Sequence, residues 1–119
     1  MNINEILETV PALMSRKSEE AELLRLEWQK AKEKLNLQDA KLALQLKAAE
    51  HDLTATAIKT MVAGDDESYR KRLIVLTLES KYRRSECEIK ALEEELRACK
   101  MLARIRISEW ESQIEGVRK

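Results

Sequence analysis

Apolar positions recur along this chain at alternating steps of three and four. In its second half they fall at Val75, Leu78, Tyr82, Ile89, Leu92, Leu96, Cys99 and Ala103. Ser85 fills the one remaining place, and Arg106 and Trp110 continue the series. That step pattern is the period of a helix packed against another in a left-handed coiled coil. An earlier stretch repeats it with Leu24, Trp28, Ala31, Leu35, Gln38, Leu42, Ala49 and Leu53. A shorter stripe opens the chain at Ile3, Ile6, Leu7, Val10, Leu13 and Met14, where Asn2 or Asn4 can cap a helix start.

These stripes predict an all-α fold: a long antiparallel helical hairpin, coiled-coil-like, preceded by a short N-terminal amphipathic helix. The expected division is a short helix over 1–17 and a hairpin over 18–119 turning at 63–66. Pro11 should kink or restart the first helix, because a proline inside a helix removes a backbone donor. Ser18, followed by Glu19 and Glu20, is a suitable cap for the next helix. Gly64 suits the left-handed residue that ends a helix, and Asp65 or Asp66 can cap its successor. A tight fold at this turn makes facing residue numbers add to roughly 130. Leu53 then meets Leu78, Ala49 meets Tyr82, Leu42 meets Ile89, Leu35 meets Leu96 and Ala31 meets Cys99.

The hairpin seam leaves other apolar residues over, among them Leu23, Leu26, Leu37, Leu44, Leu46, Leu73, Ile74 and Leu76. Soluble monomers rarely leave such patches in water. Each Leu or Ile that becomes fully buried contributes about 1.5–3 kcal/mol. An oligomer of packed hairpins is therefore expected, with Ile6, Leu7, Leu37, Leu44, Leu73 and Leu76 at its interfaces.

Composition supports long helices: 37% of the residues are charged, with two Gly, one Pro and no Phe. The formal net charge is zero, so any attraction to nucleic acid must come from a local patch. Cys87 and Cys99 lie about 18 Å apart along a helix, too far for a disulfide, and read as buried thiols of a reducing compartment. There is no signal-peptide pattern and no long apolar run, which makes a soluble cytoplasmic protein the expectation.

The residues offer little for catalysis. His51 is the lone histidine and has no second His or Cys at ligand spacing. There is no glycine-rich phosphate loop, and the acids after Gly64 are explained by helix capping better than by a calcium loop. No catalytic, cofactor or metal residue is assigned. Glu79–Arg83, Glu86–Lys90 and Glu93–Arg97 have the spacing and order of self-paired surface charges. Arg70, Lys71 and Arg72, in "YRKR", fit a solvated hairpin tip. "KMLARIRISEW", from Lys100 to Trp110, differs: Lys100, Arg104 and Arg106 have no acid four residues before them. The expected register brings Arg25, Lys30 and Lys32 to the same end, together with Trp28 and Trp110. Cations with interleaved aromatics are the ingredients of a surface for single-stranded nucleic acid.

"LLRLEWQKAK" (23–32) and "LARIRISEW" (102–110) resemble motifs of the phage recombination mediators of the UvsY type. The order of parts is similar too: short helix, long helix, acidic glycine-bearing turn, long helix. The chain departs from that family where Leu35 and Leu37 stand in place of further basic residues. The resemblance implies an oligomeric, non-enzymatic protein of phage or prophage origin. Such a protein binds single-stranded DNA and helps load a recombinase by displacing the single-strand-binding protein. The competing expectation is a protein–protein adaptor, scaffold or chaperone-like coiled coil that does not touch nucleic acid.

Overall fold

A computed structural model describes residues 2–118. Among these residues there are three helices and no strand: α1 (Ile3–Ala49), α2 (Ala55–Ala63) and α3 (Asp66–Arg118). The expected break after residue 17 is absent, since α1 passes through both Pro11 and Ser18. Its start is the anticipated one: Asn2 Oδ1 accepts a hydrogen bond from the Glu5 amide at 2.9 Å. Pro11 removes one donor but is itself exposed, on the side of the helix where water can replace the missing bond. Val10 is buried, and Ile6 and Leu7 are half-buried beside it. Ile6 and Leu7 are thus partly covered, and the first seventeen residues are continuous with the rest of α1.

The return between the long helices differs from the tight turn expected at 63–66. α1 stops at Ala49, fourteen residues before that turn could begin. Lys47 sets the stop: its Nζ donates to the carbonyls of His51 at 2.7 Å and Leu53 at 2.9 Å. These carbonyls lie in the linker just past the helix, so the lysine folds the chain back over the end of α1. Thr54 then adopts extended backbone, and its hydroxyl accepts from the Ala57 amide at 3.1 Å, starting α2.

α2 ends at Gly64, which is right-handed (φ −86°, ψ −5°), not left-handed as expected. Its amide donates to the Thr60 carbonyl at 3.1 Å. Asp65 caps α3 by accepting from the Ser68 amide at 3.0 Å. Arg72 reaches back from α3, its guanidinium donating to the carbonyls of Ala63 and Ser68. The reversal thus occupies residues 50–65 and contains a helix of its own.

Two compact units make up the chain. In the unit of residues 21–84, the Trp28 and Tyr82 rings stack with centroids 5.7 Å apart. Gln38 donates to Glu67 at 3.2 Å, and Ala31 shares a groove with Ile74 and Leu78. Trp28 thus takes Tyr82, the residue expected opposite Ala49. Ala21, Ser68 and Val75 are the buried residues of this unit. In the unit of residues 1–20 and 85–119, Lys17 donates to Glu88 at 3.0 Å, and Met14 shares a groove with Leu96 and Arg97. Val10, Ser85 and Cys99 are buried here, whereas Cys87 is exposed, contrary to expectation.

Within each unit α1 and α3 run antiparallel. Facing residue numbers add to roughly 105–110 instead of 130. The seam positions from Leu24 to Leu42 and from Val75 to Ala103 are those anticipated, whereas Ala49, Arg106 and Trp110 are exposed; the pairing is shifted, because residues 50–63 extend neither long helix.

The geometry at Gly64 yields a stability prediction. A methyl group there would meet only the Thr60 and Met61 carbonyl oxygens, at ordinary contact distances of 3.6 and 3.8 Å. Gly64→Ala should therefore raise stability by about 0.4–1 kcal/mol, by restricting the unfolded chain at a position already right-handed. A thermal melt followed by circular dichroism measures it; a lowered melting temperature would contradict the right-handed assignment.

Candidate nucleic-acid interface

The six cations expected to gather at one end belong to two different units. Arg25, Lys30 and Lys32 lie on α1 in the unit of residues 21–84, and Lys100, Arg104 and Arg106 lie on α3 in the other. The register that would have brought them together is not the one adopted.

On α1, two of the three are engaged locally. Arg25 forms a two-pronged ion pair with Glu22, three residues away. That hydrogen bond, helped by the attraction of the guanidinium, holds the Glu22 carboxyl below its ordinary pKa and raises that of Arg25. Lys32 sits over the Trp28 ring, its Nζ 3.7 Å from the ring centre, in a cation–π contact. The indole is thus occupied by Tyr82 and Lys32 together. It cannot offer a free face to a nucleobase, and half-burial confirms it as part of the packing. Lys30 is exposed and falls on a different side of α1 from Arg25 and Lys32, as about 100° per residue dictates.

On α3, Lys100, Arg104 and Arg106 are all exposed, with no ion pair among the described residues. Helical geometry divides them as well. Lys100 and Arg104 share a face, while Arg106 lies roughly 160° round the helix from Arg104. The face of Lys100 and Arg104 also carries Arg97, and Arg97 and Lys100 line one groove with Met14, Glu93 and Leu96. Arg97 was expected to be held by Glu93. Among the described residues it forms no ion pair, and neither does Lys90 with Glu86. Of the three anticipated intrahelical pairs, Glu79–Arg83 is made, at 2.9 Å. The coherent cationic stripe is therefore Arg97, Lys100 and Arg104, at steps of three and four. The absence of any acid between Glu95 and Glu109 was its legible signal.

Two of the three tip cations are structural, and Arg70 is exposed. Lys71 pairs with Glu67 at 3.7 Å and approaches Gln38, and Arg72 clamps the end of α2. Trp110 is 63% exposed on α3. Exposed with it are Met101, Leu102, Ile105 and Ile107, so the end of α3 presents apolar and cationic groups side by side. His51 is exposed, and its carbonyl serves the Lys47 cap. Among the described residues, no three His, Cys, Asp or Glu side chains are grouped to hold a metal ion, and no helix is long and apolar enough to cross a membrane.

Comparison with models of known families, with curated proteins and with solved structures found no match to the chain.

The two tryptophans should respond differently to a ligand. In Trp110→Phe the remaining Trp28 should emit at short wavelength and resist acrylamide quenching. In Trp28→Phe the remaining Trp110 should be readily quenched, and an added oligonucleotide should alter its emission. Equal responses from the two variants would contradict this assignment of roles.

Proposed function

We propose that the chain is a non-enzymatic, oligomeric accessory protein of DNA recombination that holds single-stranded DNA on α3. The observation that carries the proposal is the stripe Arg97, Lys100 and Arg104: exposed cations, unpaired among the described residues and free of intervening acids, on the same helix as the exposed Trp110. A flexible polyanion with stackable bases is the ligand such a stripe fits. The resemblance of 23–32 and 102–110 to the UvsY-type mediators supports the same reading and points to a recombinase or single-strand-binding protein as the protein partner, in the cytoplasm of a phage-infected or lysogenic cell. Each stripe is short, so useful affinity requires several copies acting together.

Self-association has its own support. Leu37 and Leu44 are 58% and 72% exposed, and Leu73 and Leu76 are exposed on α3. Charge-to-apolar substitution is the direct probe. Leu37→Glu with Leu44→Glu should reduce the sedimenting mass at micromolar concentration while leaving helix content unchanged. A native chain that sediments as a monomer would remove this support.

A second reading is favoured by the engagement of Arg25 and Lys32. With those cations held by Glu22 and Trp28, the chain works as a protein–protein adaptor or scaffold without nucleic acid. Fluorescence anisotropy of a labelled single-stranded oligonucleotide across a salt series separates the two. DNA binding predicts a steep fall with salt, each phosphate contact contributing about 0.7 to the logarithmic slope. The triple change of Arg97, Lys100 and Arg104 to Ala should lower that slope by about 2. Arg106→Ala and Arg83→Ala should each do much less. Absence of binding at low salt selects the adaptor.

A further inference from the structure

α1 carries two apolar faces. Leu24, Trp28, Ala31, Leu35 and Leu42 are half-buried on the side that packs within the chain. Leu23, Leu26, Leu37 and Leu44 are exposed on nearly the opposite side, given about 100° of turn per residue. Read along that outer side, the positions are Leu23, Leu26, Lys30, Glu33, Leu37, Ala40 and Leu44, at steps of three and four throughout. This is a second heptad seam, with a lysine and a glutamate at its centre. All seven residues are exposed, and neither Lys30 nor Glu33 forms an ion pair among the described residues.

We infer that this outer face of α1 is an isologous interface with a second copy of the chain, the two α1 helices crossing antiparallel about a two-fold axis near residues 31 and 32. The inference rests on the reading that the chain self-associates, and it names the surface and the geometry. Charge complementarity selects the second copy as occupant. In the antiparallel register Lys30 faces the second copy's Glu33, and by symmetry Glu33 faces its Lys30. Leu26 meets Leu37, and Leu23 meets Ala40, a large residue against a small one. Flanking the seam, Glu27 lies beside the second copy's Lys34, and Gln29 beside its Asn36. All four central charges thus find an opposite charge, twice over.

A parallel pairing would instead set Lys30 against Lys30 and Glu33 against Glu33. Like charges facing across a seam oppose association, so the same residues that favour one geometry exclude the other. The central pair also fixes the register. Sliding either helix by one heptad would bring Glu33 against a leucine at the centre of the seam; in the register proposed, the acid that meets a leucine is Glu19, opposite Leu44 at the seam's end.

The test is sedimentation equilibrium of the full-length chain, with helicity checked by circular dichroism. Lys30→Glu and Glu33→Lys each place like charges across the axis, and each alone should weaken association about tenfold or more. Mixing the two variants in equal amounts should restore native association, because each then supplies the complement of the other. Such rescue between chains cannot arise from contacts within one helix. Orientation is read from oxidation of a Leu26→Cys chain mixed with a Leu37→Cys chain, both carrying Cys87→Ser. The mixed disulfide should dominate; a Leu26→Cys homodimer instead would overturn the antiparallel geometry. If the native chain associates and both charge variants associate equally well, the inference fails while self-association stands. If the native chain is a monomer, both fail, and the leucine face belongs to a different protein.

Discussion

The return between residues 50 and 65 governs everything that the two long helices can do. A helix presents every surface residue in fixed angular order, so its own sequence decides which residues share a face. It does not decide which residue of another helix each one meets. That depends on how many residues the connection consumes. Here the number is set by a few polar contacts: Lys47 on the carbonyls of His51 and Leu53, Thr54 on the Ala57 amide, Asp65 on the Ser68 amide, and Arg72 on the end of α2. The last three satisfy helix ends that would otherwise leave donors or acceptors unpaired, and the first ties down carbonyls of the linker just past α1. The partners of Trp28 and Gln38 follow from where these contacts stop one helix and start the next.

The seam was readable because burial on a helix is periodic. Val75, Leu78, Tyr82, Ser85, Ile89, Leu92, Leu96, Cys99 and Ala103 are all buried or half-buried, as the three-four pattern required. The pattern failed beyond Ala103, where Arg106 and Trp110 are exposed. The register was not readable for a specific reason. No glycine or proline lies between Pro11 and Gly64, so the end of α1 has no local breaker. It is produced by a lysine side chain folding over carbonyls four and six residues ahead, a contact that resembles any other surface lysine in the sequence. Thr54 was the available hint, since a threonine before an apolar run is a common helix start.

The error in register propagated into the candidate site. A patch assembled from two helices is only as well placed as their alignment, whereas a stripe along one helix needs no alignment at all. Hence Arg97, Lys100 and Arg104 can be placed from helical geometry alone, but their grouping with Arg25, Lys30 and Lys32 could not be. Pairing by spacing has a similar weakness. Glu79–Arg83 and Glu93–Arg97 have the same order and separation, yet among the described residues the first forms and the second does not. Exposed pairs of this kind contribute only a few tenths of a kcal/mol, too little to hold a long side chain against competing rotamers.

The thinness of the packing has a consequence for how the chain comes apart. In the unit of residues 21–84 the buried apolar residues are Ala21 and Val75, and in the other they are Val10 and Cys99. Such a core is a row of layers, each touching only the layers beside it, with no central mass on which all of them depend. Opening one layer exposes little beyond that layer, so helix ends can melt while their middles persist. Amide exchange along α3 should be graded, with the protons near Val117, which is 87% exposed, lost first and those near Val75 retained longest. Cooperativity, in a chain built this way, reaches only from one layer to the next.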